Sequence, residues 1–260
     1  MTGSKRSLEL LPISLVQTCR FFHSLLYAGS RRECPLCGGR FRKFLSAGVT
    51  RRRPDARCPR CNSHERHRLL WLFLRDRLPR PGAPDSAILH FAPEPCLVGR
   101  LRAAYGERYL TADIASPLAM RKMDIMAIDL PDESFDWILC SHVLEHVQDD
   151  SRALRELWRV LKAGGRAIVQ VPITARSTIE GAATLTAGER ARDFGHPEHL
   201  RAYGLDFAGR AEAAGFQVQV LDYAKTLAPQ MRERCALVAR GEEAEKIFFC
   251  SKGATAVSHP

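Results

Sequence analysis

The sequence predicts an α/β fold, a mostly parallel sheet covered by helices on both faces, with a small cysteine-bearing module ahead of it. Three observations carry this. From residue 87 onward, apolar runs of strand length alternate with segments of helical periodicity. Four of the nine cysteines form two CxxC pairs. The charge also changes sign along the chain: residues 1–80 hold 18 Lys/Arg against 5 Asp/Glu, and residues 81–260 hold 21 against 24. A length of 260 residues suits one full-sized domain plus a small module, and 45% hydrophobic with 26% charged residues excludes wholesale disorder. The boundaries expected are an N-terminal helical extension over 1–30, a four-cysteine zinc-ribbon module over 31–64, a linking helix over 65–84 and the α/β domain over 85–260.

The opening stretch has no reading as a secretory leader, because its apolar patches are broken by Pro12, Gln17, Arg20 and His23. On the same ground a membrane span is not expected, and a cytoplasmic location is the expectation. Residues 13–28 fit an amphipathic helix, packed on its own protein or lying on a surface.

Cys34, Cys37, Cys58 and Cys61 follow as C-x2-C, twenty residues, then C-x2-C. Two such turns can surround Zn²⁺ tetrahedrally, and the spacing is that of a zinc ribbon. Four thiolates close the coordination shell, so the metal is expected to be structural. "RRRPDAR" between the knuckles and "ERHR" after them leave the module basic. That surface either meets phosphate groups or is simply solvated. "NSHERHRLLWLFLRDRL" reads as the linking helix.

In the α/β domain, strands are expected at 87–91, 108–112, 135–140, 166–171, 216–222 and 246–251, with a short one near 121–124 making seven. Helices fit 96–105, 149–163 and 198–214, the second with Leu154, Leu157, Trp158 and Leu161 on one face and Gly164-Gly165 as its stop. The segment between the last two strands has no long crossover helix, which favours an antiparallel edge. Ligands of such sheets bind beyond the carboxyl ends of the strands. Those ends carry "HFAPEP", "YLTADI" with Asp113, "MDI" with Asp124 and Ile125, and "ILCSHVLEHV" with Cys140, Ser141, His142, Glu145 and His146.

"LPDESFDWILCSHVLEHVQDDSRALRELWRVLKAGGRAIVQVP" resembles the type-11 group of class I S-adenosylmethionine-dependent methyltransferases. The resemblance runs through about 85–175 and more weakly to 251. It implies a Rossmann-like seven-stranded sheet with an antiparallel last strand, and S-adenosylmethionine as cofactor. The opening loop departs from the pattern: His90 stands where the family places an acidic residue, and Ala92, Glu94 and Cys96 occupy glycine positions. "LHFAPE" resembles the loop of a subgroup of zinc-ribbon-bearing methyltransferases. Glu94 is expected to hold the cofactor's ammonium, with His90 and Ala92 lining the loop.

The resemblance further implies Asp113 on the ribose hydroxyls, Asp124 on the adenine amino group with Ile125 beside the ring, and Cys140 and Ser141 along the methionyl arm. Asp113 also fits a helix cap, and Cys140 also fits core packing. Asp136 is expected to hold backbone donors.

Methyl transfer from a sulfonium needs mainly alignment, and a base only when the acceptor carries a proton to be removed. His146, with His142 behind it, is the candidate base; a histidine in "LEHV" also fits a turn-fixing role with Glu145. Residues 172–204 form a long stretch without clear periodicity, expected to overhang the cleft. His196, His199, Arg201 and Tyr203 are its candidate substrate contacts, or else a helix start with surface charges. A small-molecule, sugar or glycan acceptor is the leading expectation. An RNA acceptor gripped by the basic module is the second, and a non-catalytic binding protein the third. Phe41 and Phe44 are the only aromatics between the knuckles, a thin platform for stacking bases.

Overall fold

A computed structural model describes residues 13–48, 52–79, 86–182, 184–238 and 245–253, with side chains from residue 18 onward. Residues 1–12 of the expected extension, Arg51 of the basic run, residues 80–84 of the expected linker and residue 85 of the expected α/β domain lie outside them. Two compact units emerge: Met1–Arg77 with Ala224–Ala244, and Leu78–Tyr223 with Glu245–Pro260. The linking helix therefore groups with the cysteine module, as does the segment between the last two strands. Neither grouping was expected from the sequence.

In the first unit, α1 (Ile13–Leu25) precedes β1 (Ala28–Glu33), which pairs antiparallel with β2 (Arg40–Phe41). β3 (Leu45–Ala47) pairs antiparallel with β4 (Arg53–Arg57), and α2 (Glu65–Arg77) follows. The cysteine pairs sit in the two tight turns that follow β1 and β4. In each, the amide four residues beyond the first cysteine returns to that cysteine's carbonyl: Gly38 N–H to Cys34 at 2.8 Å, Asn62 N–H to Cys58 at 3.0 Å. Gly38 (φ +67°) and Asn62 (φ +62°) occupy matching left-handed positions, which glycine adopts without strain and asparagine tolerates.

Arg68 of α2 is fully buried beneath these turns. Its guanidinium donates to the carbonyls of Ala56, Ser63, Cys235 and Ala236 at 2.6–3.0 Å and lies 4.6 Å from the Phe44 ring centre. One side chain thus ties the later segment to the cysteine module. Burial opposes its charge, and the neighbouring cysteine sulfurs support it.

The second unit begins with β5 (Ile88–Phe91), α3 (Pro95–Tyr105), β6 (Tyr109–Asp113), β7 (Arg121–Lys122), β8 (Phe135–Ser141), α4 (Asp150–Val160) and β9 (Leu161–Gln170). It continues with β10 (Ile179–Glu180), α5 (Ala187–Phe194), β11 (Arg201–Ala202), α6 (Phe207–Ala213) and β12 (Gln217–Leu221). It ends with β13 (Ile247–Ser251); the intervening α7 (Tyr223–Thr226), from its second residue, and α8 (Pro229–Arg234) belong to the first unit. The seven-stranded sheet has the order β12-β13-β9-β8-β5-β6-β7. β13 is antiparallel to both its neighbours; the pairs among β9, β8, β5, β6 and β7 are parallel.

All seven expected strands are present. β5, buried along its whole length, reads as the uninterrupted apolar run that a two-sided strand requires. Asp136 accepts from the Ala87 amide and from Lys162, both at 2.9 Å, so it does hold the strand start.

The antiparallel edge expected from the last two strands is present as the β12–β13 pair, with β12 outermost. Two expectations need correction. α4 stops at Val160 because Leu161 already pairs with β8, leaving Gly164 (φ +75°) to a bend inside β9 rather than a helix cap. The helix expected over 198–214 starts only at Phe207, since Arg201–Ala202 pairs instead with Ile179–Glu180. The core gathers Leu154, Leu157 and Leu161 with Leu89, Ile138, Val169 and Phe248. Trp158 donates to the Gly215 carbonyl at 3.0 Å, and a Cβ on Gly215 would meet its indole at 2.8 Å.

Candidate functional site

The chain runs outward from β5 through β6 to β7, then returns to the other side of β5 for β8. The carboxyl ends of β5 and β8 therefore flank the reversal in strand order, where the crevice of such sheets lies.

At the end of β5, Ala92 holds φ +47° and donates its amide to Ala112 of β6 at 2.9 Å. The glycine-like backbone survives without the glycine. His90 is completely buried, with Nδ1 2.7 Å from the Tyr109 hydroxyl and Nε2 2.8 Å from Glu94 Oε2. An ionised carboxylate only accepts, so Nε2 carries the proton. Burial keeps the Tyr109 hydroxyl protonated by pushing its pKa up. Glu94 occupies the cap position of α3 without using its side chain as a cap. His90 and Glu94, read separately in the sequence, form one buried pair.

At the end of β6, Asp113 Oδ1 accepts from the amides of Ala115 and Ser116 at 2.7 and 2.6 Å. Asp124 Oδ1 likewise accepts from Met126 at 2.8 Å. Among the described residues neither Oδ2 takes a hydrogen bond, so in each carboxylate one oxygen fixes the orientation and the other is uncommitted. Ile125 is buried in the core. Ile114 and Leu118, beside Asp113, are exposed apolar side chains that sequence reasoning passed over. An apolar residue directly after a strand-end carboxylate was the available signal.

At the end of β8, the Cys140 thiol is core, with burial pushing its pKa well up. Ser141 donates weakly to Gln170 at 3.4 Å. His142 (φ +55°) stands between two carboxylates, Nδ1 at 3.1 Å from Glu145 Oε1 and Nε2 at 2.8 Å from Glu245 Oε1. Glu145 is completely buried; its Oε2 has no hydrogen-bond partner among the described residues. Burial works to raise its pKa, but the His142 hydrogen bond and charge outweigh this and hold it below the usual range.

The segment expected as a lid contains more order than its sequence suggested: the β10–β11 pair, and α5 opened by a capping box between Thr186 and Glu189. It docks on the turn after β8. Leu200 N–H donates to Glu145 O at 2.8 Å, and Arg201 donates to the carbonyls of Leu144, Val147 and Gln148 at 2.6–2.8 Å. Tyr203 OH donates to Asp150 Oδ2 at 2.7 Å. Arg201 and Tyr203 are buried, so their polar groups serve this docking instead of facing an acceptor.

The docking brings His196 and His199 to His146, with ring centres 4.9 Å (146–199), 5.0 Å (196–199) and 5.8 Å (146–196) apart. Burial lowers the pKa of His199. Of the sequence-picked acceptor residues, His146, His196 and His199 converge, while His142 is held apart by its carboxylates.

In the cysteine unit, Cys34 and Cys61 sulfurs are 3.5 Å apart and those of Cys37 and Cys58 3.7 Å; all four lie within 4.8 Å of one another. Thiolates bound tetrahedrally at about 2.3 Å from Zn²⁺ would be roughly 3.8 Å apart, so the set fits that ion. Phe41 and Phe44 are buried, and Arg32 and Arg53 pair with Asp55 and Glu65 at 2.9 and 3.1 Å. The aromatic and cationic groups that a nucleic-acid surface would use are thus partly spent on the fold.

Comparison with known proteins adds three findings. Residues 93–169 match the family described as a methyltransferase domain. A 63-residue stretch is 38% identical to the ubiquinone/menaquinone biosynthesis C-methyltransferase UbiE of Cellvibrio japonicus, covering 24% of this chain and 25% of that protein. A 43-residue stretch is 51% identical to the protein of the same name from Xanthomonas oryzae pv. oryzae, covering 16% and 17%. The chain thus spans a quarter or less of these relatives. The crystal structure of an S-adenosylmethionine-dependent methyltransferase from Mesorhizobium loti superposes with a TM-score of 0.51 at 16% identity, over 70% of this chain and 96% of that one. The fold is that of the Rossmann-like methyltransferases. Among the described residues no helix is long and apolar enough to cross a membrane.

Proposed function

We propose that the sheet unit is an S-adenosylmethionine-dependent methyltransferase acting on a small-molecule or glycan acceptor, and that the four-cysteine unit carries a structural Zn²⁺. The single observation that carries the enzymatic reading is the pair of strand-end carboxylates, Asp113 and Asp124. Each is oriented by one oxygen and leaves the other for a neutral donor, as the ribose hydroxyls and adenine amino group require. Glu94, oriented by His90, supplies the negative charge for the ligand's ammonium. The cofactor brings a methyl group already activated on sulfur. The chain's residues align it against the acceptor, with Ser141 at the end of β8 and Ile114 beside the nucleoside.

His146, His196 and His199 form the acceptor side, where a neutral imidazole can take a proton. His142, held by Glu145 and Glu245, positions the turn; Arg201 and Tyr203 hold the lid segment on it. The buried Phe41 and Phe44 weigh against an RNA acceptor. Small-molecule chemistry is supported by the names of the short-matching relatives.

The test is calorimetry with S-adenosylmethionine and S-adenosylhomocysteine, followed by tritiated-methyl transfer into fractionated cell extract with and without ribonuclease. Micromolar binding and ribonuclease-resistant label are expected. Absence of binding by metal-replete protein sinks the enzymatic reading and leaves the non-catalytic one; label that vanishes with ribonuclease moves the acceptor to RNA.

A further inference from the structure

We propose that His146, His196 and His199 form a second metal site, for a divalent transition-metal ion with open coordination positions. The three rings come from two separate segments, the turn after β8 and the turn after α5. One ligating atom from each lies within 4.8 Å of the others. Imidazoles bound at about 2.0–2.1 Å to a tetrahedral ion have ring centres roughly 5 Å apart, and the observed separations are 4.9, 5.0 and 5.8 Å. His146 is exposed, so rotation of its side chain can close the longest of them.

The tautomers point the same way. His146 Nδ1 faces the Glu198 carbonyl at 3.2 Å and His199 Nδ1 faces the Phe194 carbonyl at 2.9 Å. A carbonyl cannot donate, so both rings carry the proton on Nδ1 and, when neutral, a lone pair on Nε2. A backbone carbonyl behind the non-ligating nitrogen is the outer-shell arrangement that holds metal-binding histidines. His196 Nδ1 accepts from Glu198 N–H at 3.3 Å, a long bond that ligation through Nε2 would give up.

A second observation is independent of the rings. The Glu145 side chain, adjacent to His146 in the chain, is completely buried, and its Oε2 has no hydrogen-bond partner among the described residues. A buried polar oxygen without a partner is costly, and a cation held at the neighbouring imidazoles offsets that cost. All-nitrogen ligation by imidazole suits Zn²⁺, Fe²⁺, Co²⁺ or Ni²⁺ better than Mg²⁺ or Ca²⁺.

Three protein ligands leave a position for an oxygen of the acceptor, and this consequence rests on the methyltransferase reading above. A metal-bound hydroxyl loses its proton to solvent more readily, so with the ion in place the three imidazoles act as ligands and the base role given them above is not needed. The oxygen lone pair then forms the O–CH₃ bond as the S–CH₃ bond breaks, and sulfur keeps that bond's electrons as a neutral thioether. The acceptor class implied is an alcohol, enol or phenol able to bind a metal ion.

The test titrates Co²⁺ into protein whose four-cysteine site is filled with Zn²⁺, reading metal equivalents by mass spectrometry and ligand-field absorption. One further equivalent is expected, without thiolate charge-transfer bands, and it is lost in His196→Ala/His199→Ala. His199→Gln, which can keep the hydrogen bond to Phe194 O, is expected to weaken Co²⁺ binding at least tenfold. S-adenosylhomocysteine calorimetry on the same samples reports the fold and the cofactor site separately. No further equivalent in the wild type, or its retention in the double variant, overturns the site. Failure of S-adenosylhomocysteine binding alone overturns only the methyltransferase reading.

Discussion

Replacing Glu94 by glutamine probes the opening loop most sharply. The carboxylate is almost buried and held 2.8 Å from His90 Nε2. Glutamine is isosteric and its amide oxygen can still accept from Nε2–H, so the loop should keep its shape. What disappears is the negative charge. A hydrogen bond to a charged partner contributes about 1.5–3 kcal/mol, so loss of its charge-assisted part predicts a roughly 10- to 150-fold weaker Kd for S-adenosylhomocysteine. The assay pairs that ligand with 5′-methylthioadenosine, which has the same nucleoside but no amino-acid arm. Calorimetry should show the first weakened and the second changed less than about threefold. Equal losses for both ligands would mean that Glu94 only supports the loop, and no loss for either would remove it from the site. Either result refutes the argument that a displaced carboxylate replaces the missing acidic residue.

Other substitutions separate the remaining roles. Asp113→Asn should weaken both ligands by tenfold or more, because it touches the part they share; an effect confined to S-adenosylhomocysteine would contradict the ribose assignment. Arg68→Met orphans four buried carbonyls and should destabilise the cysteine unit by about 3–5 kcal/mol, measured by urea unfolding and by faster Zn²⁺ release to a chromogenic chelator. Cys58→Ser, or exhaustive chelation of the wild type, should unfold that unit outright, since so small a module draws much of its folding free energy from metal. Arg201→Met should lower the thermal midpoint by about 6–12 °C, from a loss of roughly 3 kcal/mol on breaking its buried bonds.

What could be read in the sequence was what local pattern encodes. The central strands β5 and β8 were legible because each is an apolar run of strand length closed by a polar turn, whereas β7, two exposed basic residues, was placed only from its position in the alternation; the four cysteines were legible from their C-x2-C spacing. Strand order is not local: nothing in "IFFC" says that β13 inserts between β9 and β12. Nor does a buried arginine announce itself. Arg201 and Arg68 look like solvated charges until the carbonyls they bind are in place. The short helix α5 could have been found from Thr186 and Glu189, a T-x-x-E box overlooked among small residues. The histidine cluster joins positions fifty residues apart; only the H-x-x-H of 196–199 hinted at it.

The missing glycines resolve into a problem of backbone and a problem of charge. In the function proposed above, the charge comes from Glu94, which His90 Nε2 holds at 2.8 Å. The backbone was kept at a cost: Ala92 holds φ +47°, a region that costs an L-residue about 1–2 kcal/mol. Ala92→Gly removes that strain but adds unfolded-chain entropy worth about 0.5–1 kcal/mol, so the net change should lie between zero and roughly 1.5 kcal/mol of added stability in urea unfolding. Ala92→Val, with a branched Cβ in the same conformation, should be clearly destabilised. If Ala92→Gly instead lost more than about 0.5 kcal/mol, with the Ala92 N–H to Ala112 bond still available, its methyl group would have to be packing against something the strain argument ignores. The loop would then be shaped by that contact rather than inherited from a glycine turn.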